Sequence, residues 1–208
     1  MKAVIFDLDG VIVDSMGLHD HLTTTMLKRY GIKITEKELN EKYAGVSSRE
    51  IFKLLLKHKN LDFDFLYEKK WKKTMILAKK IQPIPGAIPL IKELKKNGFK
   101  LGIGSSSKRS FIQFILKHFN LTSYFETFIG IEDVKKGKPD PEIFLLTAKK
   151  LQVLPRYCTV IEDGKAGMLA AKKAKMKCIA LVKEEDLRKT YPADKKVTHI
   201  SQLSISDF

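Results

Sequence analysis

The chain has 208 residues, of which 44% are apolar and 30% are charged. This composition excludes a disordered chain and provides a core for one domain, with or without an insertion. The formal net charge is +15, from 39 Lys and Arg against 24 Asp and Glu, which raises a nucleic acid or another anionic partner as a hypothesis. Only five of these cations are Arg, and the lysine bias favours an ordinary basic surface over nucleic-acid binding.

The sequence does not have the pattern of a membrane or secreted protein. No apolar run approaches the roughly 20 residues that cross a bilayer, and the early acids Asp7 and Asp9 do not fit a signal peptide. The two cysteines, Cys158 and Cys178, cannot form a disulfide framework, and we expect both to be buried strand thiols. We therefore expect a cytoplasmic protein that makes no contact with a membrane.

Apolar segments and helical patterns follow one another along the chain. Residues 2–6 predict a buried parallel strand, because they form a short run rich in apolar side chains. From Ser15 to about Gln82 apolar residues recur at helical spacing, which predicts a block of about four helices. Pro83 to Gly86 interrupts this pattern. Further strands are predicted at 99–104, 124–130, 158–161, 177–182 and 197–200, with helices around 111–116, 141–151 and 165–174.

This order of elements predicts an α/β fold with a doubly wound, Rossmann-like parallel sheet as its core. The helical block is then an all-helical cap domain, inserted after the first strand. We place the α/β core domain at 1–14 and 84–208 and the helical cap domain at 15–83. Ligands of such sheets bind beyond the carboxyl ends of the strands, so the residues that follow each strand are candidates for the site.

The residues that follow the strands have complementary chemistry. Asp7 and Asp9 follow the first strand, and two neighbouring carboxylates favour a cation such as Mg²⁺. Ser105 follows the second strand, where its hydroxyl and the next backbone amides suit a phosphate. Lys138 lies in the loop after the third strand and offers a positive charge to a phosphate or a nucleophile. A second acidic pair follows the fourth strand, so chemically useful groups recur at the same end of successive strands.

Together these four motifs resemble the haloacid dehalogenase superfamily. The segment from Asp7 to Gly10 is similar to the Asp-x-Asp-Gly signature of that family. Ser105, Lys138 and the pair Glu162–Asp163 are similar to its second, third and fourth motifs, in the same order. The resemblance extends over the whole chain, because the helical block stands where the family carries a helical cap. It implies a Rossmann-like core, a mobile cap and phosphoryl transfer.

The resemblance also implies a role for each motif residue. Asp7 would be the nucleophile that takes up the phosphoryl group, which divides one displacement into two easier steps. Asp9 would be the general acid for the leaving group and then the base for the incoming water or hydroxyl. Ser105 and Lys138 would bind the oxygens of the transferring group and stabilise their charge.

A magnesium ion is the cofactor that the resemblance implies. Its ligands would be Asp7, the backbone carbonyl of Asp9, and Asp163, with Glu162 in support. The ion would reduce the repulsion between the phosphate and the Asp7 carboxylate.

Within the superfamily, the sequence is most similar to the group that contains β-phosphoglucomutase and small-molecule phosphatases. The resemblance implies that His19 positions the acid/base residue and that Arg49 binds a distal phosphate. Lys73 would be a substrate-binding cap lysine, although it also lies in a basic helical run that suits a solvated face. The full set of implied substrate-binding residues is His19, Gly45, Arg49, Lys73, Ser106, Ser107, Lys108 and Arg109.

Three functions stay open at this point. The first, which we favour, is a phosphatase that hydrolyses a small phosphorylated metabolite such as a sugar phosphate. The second is a β-phosphoglucomutase that interconverts β-glucose 1-phosphate and glucose 6-phosphate. The third is a non-enzymatic basic nucleic-acid-binding protein, which the complete set of motifs disfavours. We expect a monomer, since a cap of this kind has to open and close.

Overall fold

A parallel β-sheet is the centre of the computed structural model, which describes residues 2–208. The six strands found in these residues have the order β3-β2-β1-β4-β5-β6, and every neighbouring pair is parallel. This architecture confirms the predicted doubly wound α/β fold. The strands are β1 (Ala3–Phe6), β2 (Lys100–Gly104), β3 (Thr127–Ile129), β4 (Cys158–Glu162), β5 (Lys177–Leu181) and β6 (Lys195–Val197).

Four helices lie between β1 and β2 in sequence, before the helix that leads into β2. They are α1 (Met16–Lys28), α2 (Glu36–Tyr43), α3 (Ser48–Leu55) and α4 (Phe63–Leu77). They bury apolar side chains such as Leu27, Leu39 and Phe52 in a cluster of their own. We call residues 15–83 the cap segment, and its limits as a separate domain stay a prediction. The other helices are α5 (Ala87–Lys96), α6 (Arg109–His118), α7 (Glu142–Leu151) and α8 (Lys165–Lys173).

The two faces of the sheet are covered by different helices. Val4 and Phe6 of β1 pack in one cluster with apolar side chains of α5 and α6. Ala3 and Ile5 pack in a second cluster with side chains of α7 and α8, which also contains Cys158 and Cys178. Successive residues of a strand point to opposite faces, so the short apolar run of β1 is buried on both sides. Within residues 2–208, no helix is long and apolar enough to cross a bilayer.

The last strand differs from its predicted position. Residues 197–200 were expected to form it, but β6 is Lys195–Val197 and a short 3₁₀ turn begins at Ile200. The side-chain oxygen of Gln202 accepts hydrogen bonds from the backbone amides of Thr198 and His199, at 2.9 and 3.2 Å. These amides are therefore not available to a β-ladder.

Helix α5 is a second feature that the pattern of the sequence did not predict.

Glycine 102 lets α7 approach the sheet closely. A Cβ atom at Gly102 would lie 2.7 Å from the Thr147 methyl and 3.0 Å from a Leu151 methyl. Thr147 is fully buried, and its hydroxyl donates to the Ile143 carbonyl at 2.7 Å, so its side chain cannot turn away without losing that bond. The contact between β2 and α7 therefore depends on the absence of a side chain at this position.

We expect Gly102→Ala to lower the free energy of unfolding by about 1–3 kcal/mol, because an added methyl overpacks this contact. Gly17→Ala is the matched control, since Gly17 lies in α1 and a methyl group there would meet no other part of the fold within 4 Å. The control should leave the stability unchanged or raise it, because alanine favours helix formation. Urea unfolding followed by circular dichroism measures both, and equal stabilities would contradict this view of the packing.

Candidate active site

The carboxyl edge of the sheet brings the predicted motif residues together. Asp7 comes directly after β1, Ser105 directly after β2 and Asp163 directly after β4. Lys138 lies in the loop between β3 and α7, and Glu162 is the last residue of β4. Because the strands are parallel and adjacent, residues far apart in sequence meet at one edge.

Lys138 is the buried positive charge of this edge. Its side chain is fully buried, and its Nζ atom lies 3.0 Å from Asp7 Oδ2 and 2.6 Å from Glu162 Oε1. Burial alone would lower the pKa of Lys138, but the two carboxylates raise it above the ordinary value. The other Glu162 oxygen accepts a hydrogen bond from the Gly164 amide at 2.7 Å, which fixes the carboxylate. Lys138 is therefore a permanently charged group aimed at Asp7.

Three carboxylates surround this single ammonium group. Oxygen atoms of Asp7, Glu162 and Asp163 all lie within 4.8 Å of one another. Burial raises the pKa of both Asp7 and Asp163, and the neighbouring carboxylates raise it further. The cluster is thus short of positive charge, and a divalent cation that prefers oxygen ligands supplies it. These residues fit a magnesium ion.

Asp9 is held by a separate set of hydrogen bonds. Its Oδ1 atom lies 3.2 Å from His19 Nε2 and accepts a hydrogen bond from the Ser15 hydroxyl. Its Oδ2 atom accepts from the hydroxyls of Ser107 and Ser105, the latter at 3.4 Å. Burial alone would raise the pKa of Asp9, but His19 and these hydroxyl groups lower it below the usual range. Asp9 is therefore an ionised carboxylate with a fixed orientation.

A buried lysine of the cap segment, Lys70, orients His19. Its Nζ atom lies 2.9 Å from His19 Nδ1, and Lys70 is only 3% exposed. Burial lowers the pKa of Lys70 to about 8, so the side chain is mostly an ammonium group at neutral pH. Burial and Lys70 also lower the pKa of His19, which is consequently neutral. With Nδ1 accepting from Lys70, the ring proton sits on Nε2 and is donated to Asp9.

Sequence reasoning selected Lys73 and missed Lys70. Both belong to the basic run of α4, in which Lys73 is half-buried and Lys70 is buried. The helical period of α4 could have indicated Lys70. The buried face of this helix repeats at spacings of three and four residues and consists of Tyr67, Lys70, Trp71 and Thr74. A lysine in phase with these residues points inward.

A small cavity of about 70 Å³ lies between the carboxyl edge and the cap segment. The Ser106 hydroxyl donates to the Gly45 carbonyl at 2.9 Å, and this bond joins the two sides. The described residues that line the cavity on the sheet side are Asp7, Asp9, Ser106, Ser107 and Asp163. Those of the cap segment are Met16, His19, Asp20, Thr23, Leu39, residues 43–48, Ile51, Lys70 and Trp71.

Comparison with known proteins identifies the family. Residues 4–181 match the model of the haloacid dehalogenase-like hydrolases. The chain belongs to this family. It is 34% identical over 186 residues to the β-phosphoglucomutase of Bacillus subtilis, an alignment that covers 85% of this chain and 81% of that protein. It is 32% identical over 177 residues to a phosphorylated carbohydrates phosphatase of Thermotoga maritima, with coverages of 84% and 82%.

The fold comparison agrees with the sequence comparison. A crystal structure of β-phosphoglucomutase from Clostridium difficile superposes with a TM-score of 0.86 at 30% identity, covering 100% of this chain and 95% of the other. This haloacid dehalogenase-like hydrolase is therefore an enzyme, either a hydrolase or a phosphomutase.

Four cations that the resemblance places near the substrate do not line the cavity of this haloacid dehalogenase-like hydrolase. Arg49 pairs with Asp64 through Nε at 2.5 Å. Lys108 pairs with the carboxylate of Glu68, and Arg109 pairs with Asp133 at 2.8 Å. Lys73, the fourth, lies about one helical turn after Lys70 and is half-buried. A substrate role for these cations stays a prediction, and the structure gives three of them acidic partners outside the cavity.

We expect Lys70→Met to lower kcat/KM at least about tenfold, because the proton of His19 is then no longer fixed on Nε2. Lys72→Met, a change in an exposed lysine of the same helix, should change kcat/KM less than about twofold. In the parent enzyme, kcat/KM should decline as the pH rises through about 8, where Lys70 loses its proton. A pH profile of all three proteins tests this, and an unaltered alkaline limb in Lys70→Met would contradict it.

Proposed function

We propose that this enzyme hydrolyses a small phosphorylated metabolite of the sugar-phosphate class through a phosphoryl group carried on Asp7. The observation that supports it most directly is the position of Asp7, which lines the cavity and contacts the Lys138 ammonium. A phosphorylated carbohydrates phosphatase and a hexitol phosphatase are among the relatives, the latter 26% identical over 99% of this chain. Both names describe the removal of phosphate from a phosphorylated carbohydrate.

The first step makes one bond to phosphorus and breaks another. A carboxylate oxygen of Asp7 attacks the phosphorus atom, and the ester oxygen leaves with the electron pair of the broken bond. The leaving oxygen takes a proton from Asp9. The pKa of Asp9 is low before substrate binds, so the incoming phosphate dianion has to raise it before Asp9 can act as an acid.

The second step uses the same residues in reverse. Asp9, ionised again, removes a proton from a water molecule, which attacks the phosphoryl group and releases Asp7. His19 keeps the Asp9 carboxylate in place in both steps. Lys138 and Ser105 stabilise the negative charge that develops on the transferring oxygens. The use of water as the acceptor distinguishes this reaction from a mutase reaction.

Magnesium completes the proposal. Asp7, the Asp9 backbone carbonyl and Asp163 would bind the ion, with Glu162 behind them next to Lys138. When bound, the ion neutralises the charge of the phosphoryl oxygens and of the Asp7 carboxylate. The clustering of three carboxylates supports this assignment.

A phosphomutase acting on β-glucose 1-phosphate is the second candidate. The Bacillus subtilis relative and the Clostridium difficile structure are both β-phosphoglucomutases, which favours this alternative. A mutase would pass the phosphoryl group from Asp7 to a sugar hydroxyl instead of water. An assay of β-glucose 1-phosphate that follows both free phosphate and glucose 6-phosphate separates the two: phosphate release supports the hydrolase and isomerisation supports the mutase.

We expect Asp7→Asn to lower the turnover of p-nitrophenyl phosphate by at least about a thousandfold, because an amide oxygen is a poor nucleophile. Asp14→Asn is a suitable control, since Asp14 is an exposed acid outside the cavity. The turnover of this variant should stay within about twofold of that of the parent enzyme. Quenched samples of the parent enzyme should gain the mass of one phosphoryl group at Asp7. Full activity in Asp7→Asn would overturn the assignment of the nucleophile.

Removal of divalent cations should abolish this turnover, and added Mg²⁺ should restore it. Asp163→Asn should raise the magnesium concentration needed for half-maximal activity about tenfold or more, because one charged ligand becomes neutral. The control is Asp186→Asn, a change in an acid that pairs with Lys189 outside the cavity. Activity that persists in excess chelator would contradict the magnesium assignment.

A further inference from the structure

The segment that follows β3 packs against the loop that follows β2. We call residues 130–133 the β3 segment and residues 105–108 the β2 loop. We propose that Gly130 and Asp133 of the β3 segment are positioning residues, which hold Ser107 where its hydroxyl group donates to Asp9. The inference rests on the proposed function, in which Asp9 gives a proton to the leaving oxygen. Neither Gly130 nor Asp133 lines the cavity, so both act through Ser107 and not by contact with substrate.

Two backbone hydrogen bonds join these segments beyond the ends of their strands. The Ser105 amide donates to the Ile129 carbonyl at 3.0 Å, and the Ile131 amide donates to the Ser107 carbonyl at 3.1 Å. The Ser107 amide in turn donates to the Ser105 hydroxyl oxygen at 3.1 Å. The backbone of Ser107 is therefore held through both its amide and its carbonyl, which sets the position from which its hydroxyl reaches Asp9.

Gly130 allows the two segments to approach closely. A Cβ atom at this position would lie 2.9 Å from the Ser107 carbonyl oxygen and 2.9 Å from the Arg109 amide nitrogen. Both neighbours are backbone atoms, which cannot turn away as the end of a side chain can, so a side chain here has to displace residues 107–109. Gly130 is buried, and its φ of −103° is open to every residue. The constraint is therefore one of space.

Arg109, the first residue of α6, ties the same two segments together. Its guanidinium donates to Asp133 Oδ2 at 2.8 Å and to the Phe128 carbonyl at 3.2 Å. The same Asp133 oxygen accepts from the Gly130 amide at 2.9 Å. The Arg109 amide donates to Glu132 at 3.0 Å, so an acid from outside the helix caps α6. Partly exposed ion pairs are individually weak, so we expect this contact to contribute less than the packing at Gly130.

The side chain of Arg109 lies outside the substrate cavity. Arg109, Phe128 and Asp133 line a surface groove beside β3, and none of them lines the cavity. The guanidinium carbon lies 4.7 Å from the centroid of the Phe128 ring, which adds a cation–π contact to the ion pair. Arg109 therefore fastens the β2 loop to β3, in place of the substrate contact that the resemblance implies.

The position of Ser107 matters most for the proton that Asp9 supplies. An alkyl leaving group departs as an unstable alkoxide unless its oxygen receives a proton, whereas p-nitrophenolate is a stable anion and departs without one. Misalignment of Asp9 should therefore slow benzyl phosphate, an alkyl ester, much more than p-nitrophenyl phosphate, which has a similar size. A general loss of structure would slow both esters alike.

Gly130→Ala gives the first test. We expect it to lower the ratio of kcat/KM for benzyl phosphate to kcat/KM for p-nitrophenyl phosphate about tenfold or more, both measured with Mg²⁺. Gly17→Ala is the control and should leave the ratio unchanged, since a methyl group at Gly17 meets no other part of the fold within 4 Å. Thermal unfolding shows whether each variant is folded. An unchanged ratio in folded Gly130→Ala enzyme would overturn the inference.

A double substitution tests whether Gly130 acts through Ser107. Ser107→Ala removes the hydroxyl group that donates to Asp9 and should lower the same ratio. Because both residues act on one contact, adding Gly130→Ala to the Ser107→Ala enzyme should lower the ratio less than about twofold further. Effects that multiply in full would show that Gly130 acts elsewhere, and they would overturn the inference.

The ion pair gives a third test, which applies even if Gly130→Ala does not fold. Asp133→Ala and Arg109→Met should each lower the ratio about threefold. Glu41→Ala, which removes a charge from an exposed position of α2, should leave it unchanged. If Arg109 binds substrate instead, Arg109→Met should raise KM for both esters and Asp133→Ala, which releases the arginine, should lower it. Such opposite effects would overturn the role of this pair.

Turnover of p-nitrophenyl phosphate by the unmodified enzyme separates this inference from the proposed function. If that turnover is absent in the presence of Mg²⁺, the proposed function fails and the inference fails with it. If the turnover is present and the ratio is unchanged in every folded variant, only the positioning role of Gly130 and Asp133 is overturned.

Discussion

The burial of three carboxylates around one lysine is the interaction on which the site depends. Asp7, Glu162 and Asp163 meet because β1 and β4 are adjacent and parallel, and Lys138 is inserted between two of them. Ionised carboxylates lose their hydration when they are buried, so the cluster requires positive charge close by. This shortage of positive charge raises the free energy of the empty cluster. For the same reason the cluster is suited to bind a cation and, with it, a phosphoryl group.

The cap segment forms one side of the cavity. Helix α1 contributes His19 and Asp20, and helix α4 contributes Lys70 and Trp71, so two helices line one side of the cavity while the strand ends line the other. His19 joins the two sides, because one ring nitrogen contacts Asp9 and the other contacts Lys70. A change in the cap segment can therefore alter proton transfer as well as substrate choice.

The net charge of +15 has little to do with the site. Arg49 and Lys108, which the resemblance places near the substrate, are paired with acids of α4 and do not line the cavity. A surface rich in lysine raises the concentration of anionic ligands near the protein without selecting among them. Selection instead requires desolvated groups with fixed partners, such as His19, which contacts both Asp9 and Lys70.

The sequence by itself determined the fold and the set of residues at the strand ends. A parallel α/β sheet places every residue that follows a strand at one edge, so the chain order of Asp7, Ser105, Lys138 and Glu162–Asp163 was enough to predict their meeting. Only the tertiary structure decided that Lys70 contacts His19, 51 residues away in sequence, and that Lys108 is bound to Glu68, 40 residues away. The reason is physical: strand topology is encoded in local periodicity, whereas the partner of a charged side chain depends on how separate elements pack.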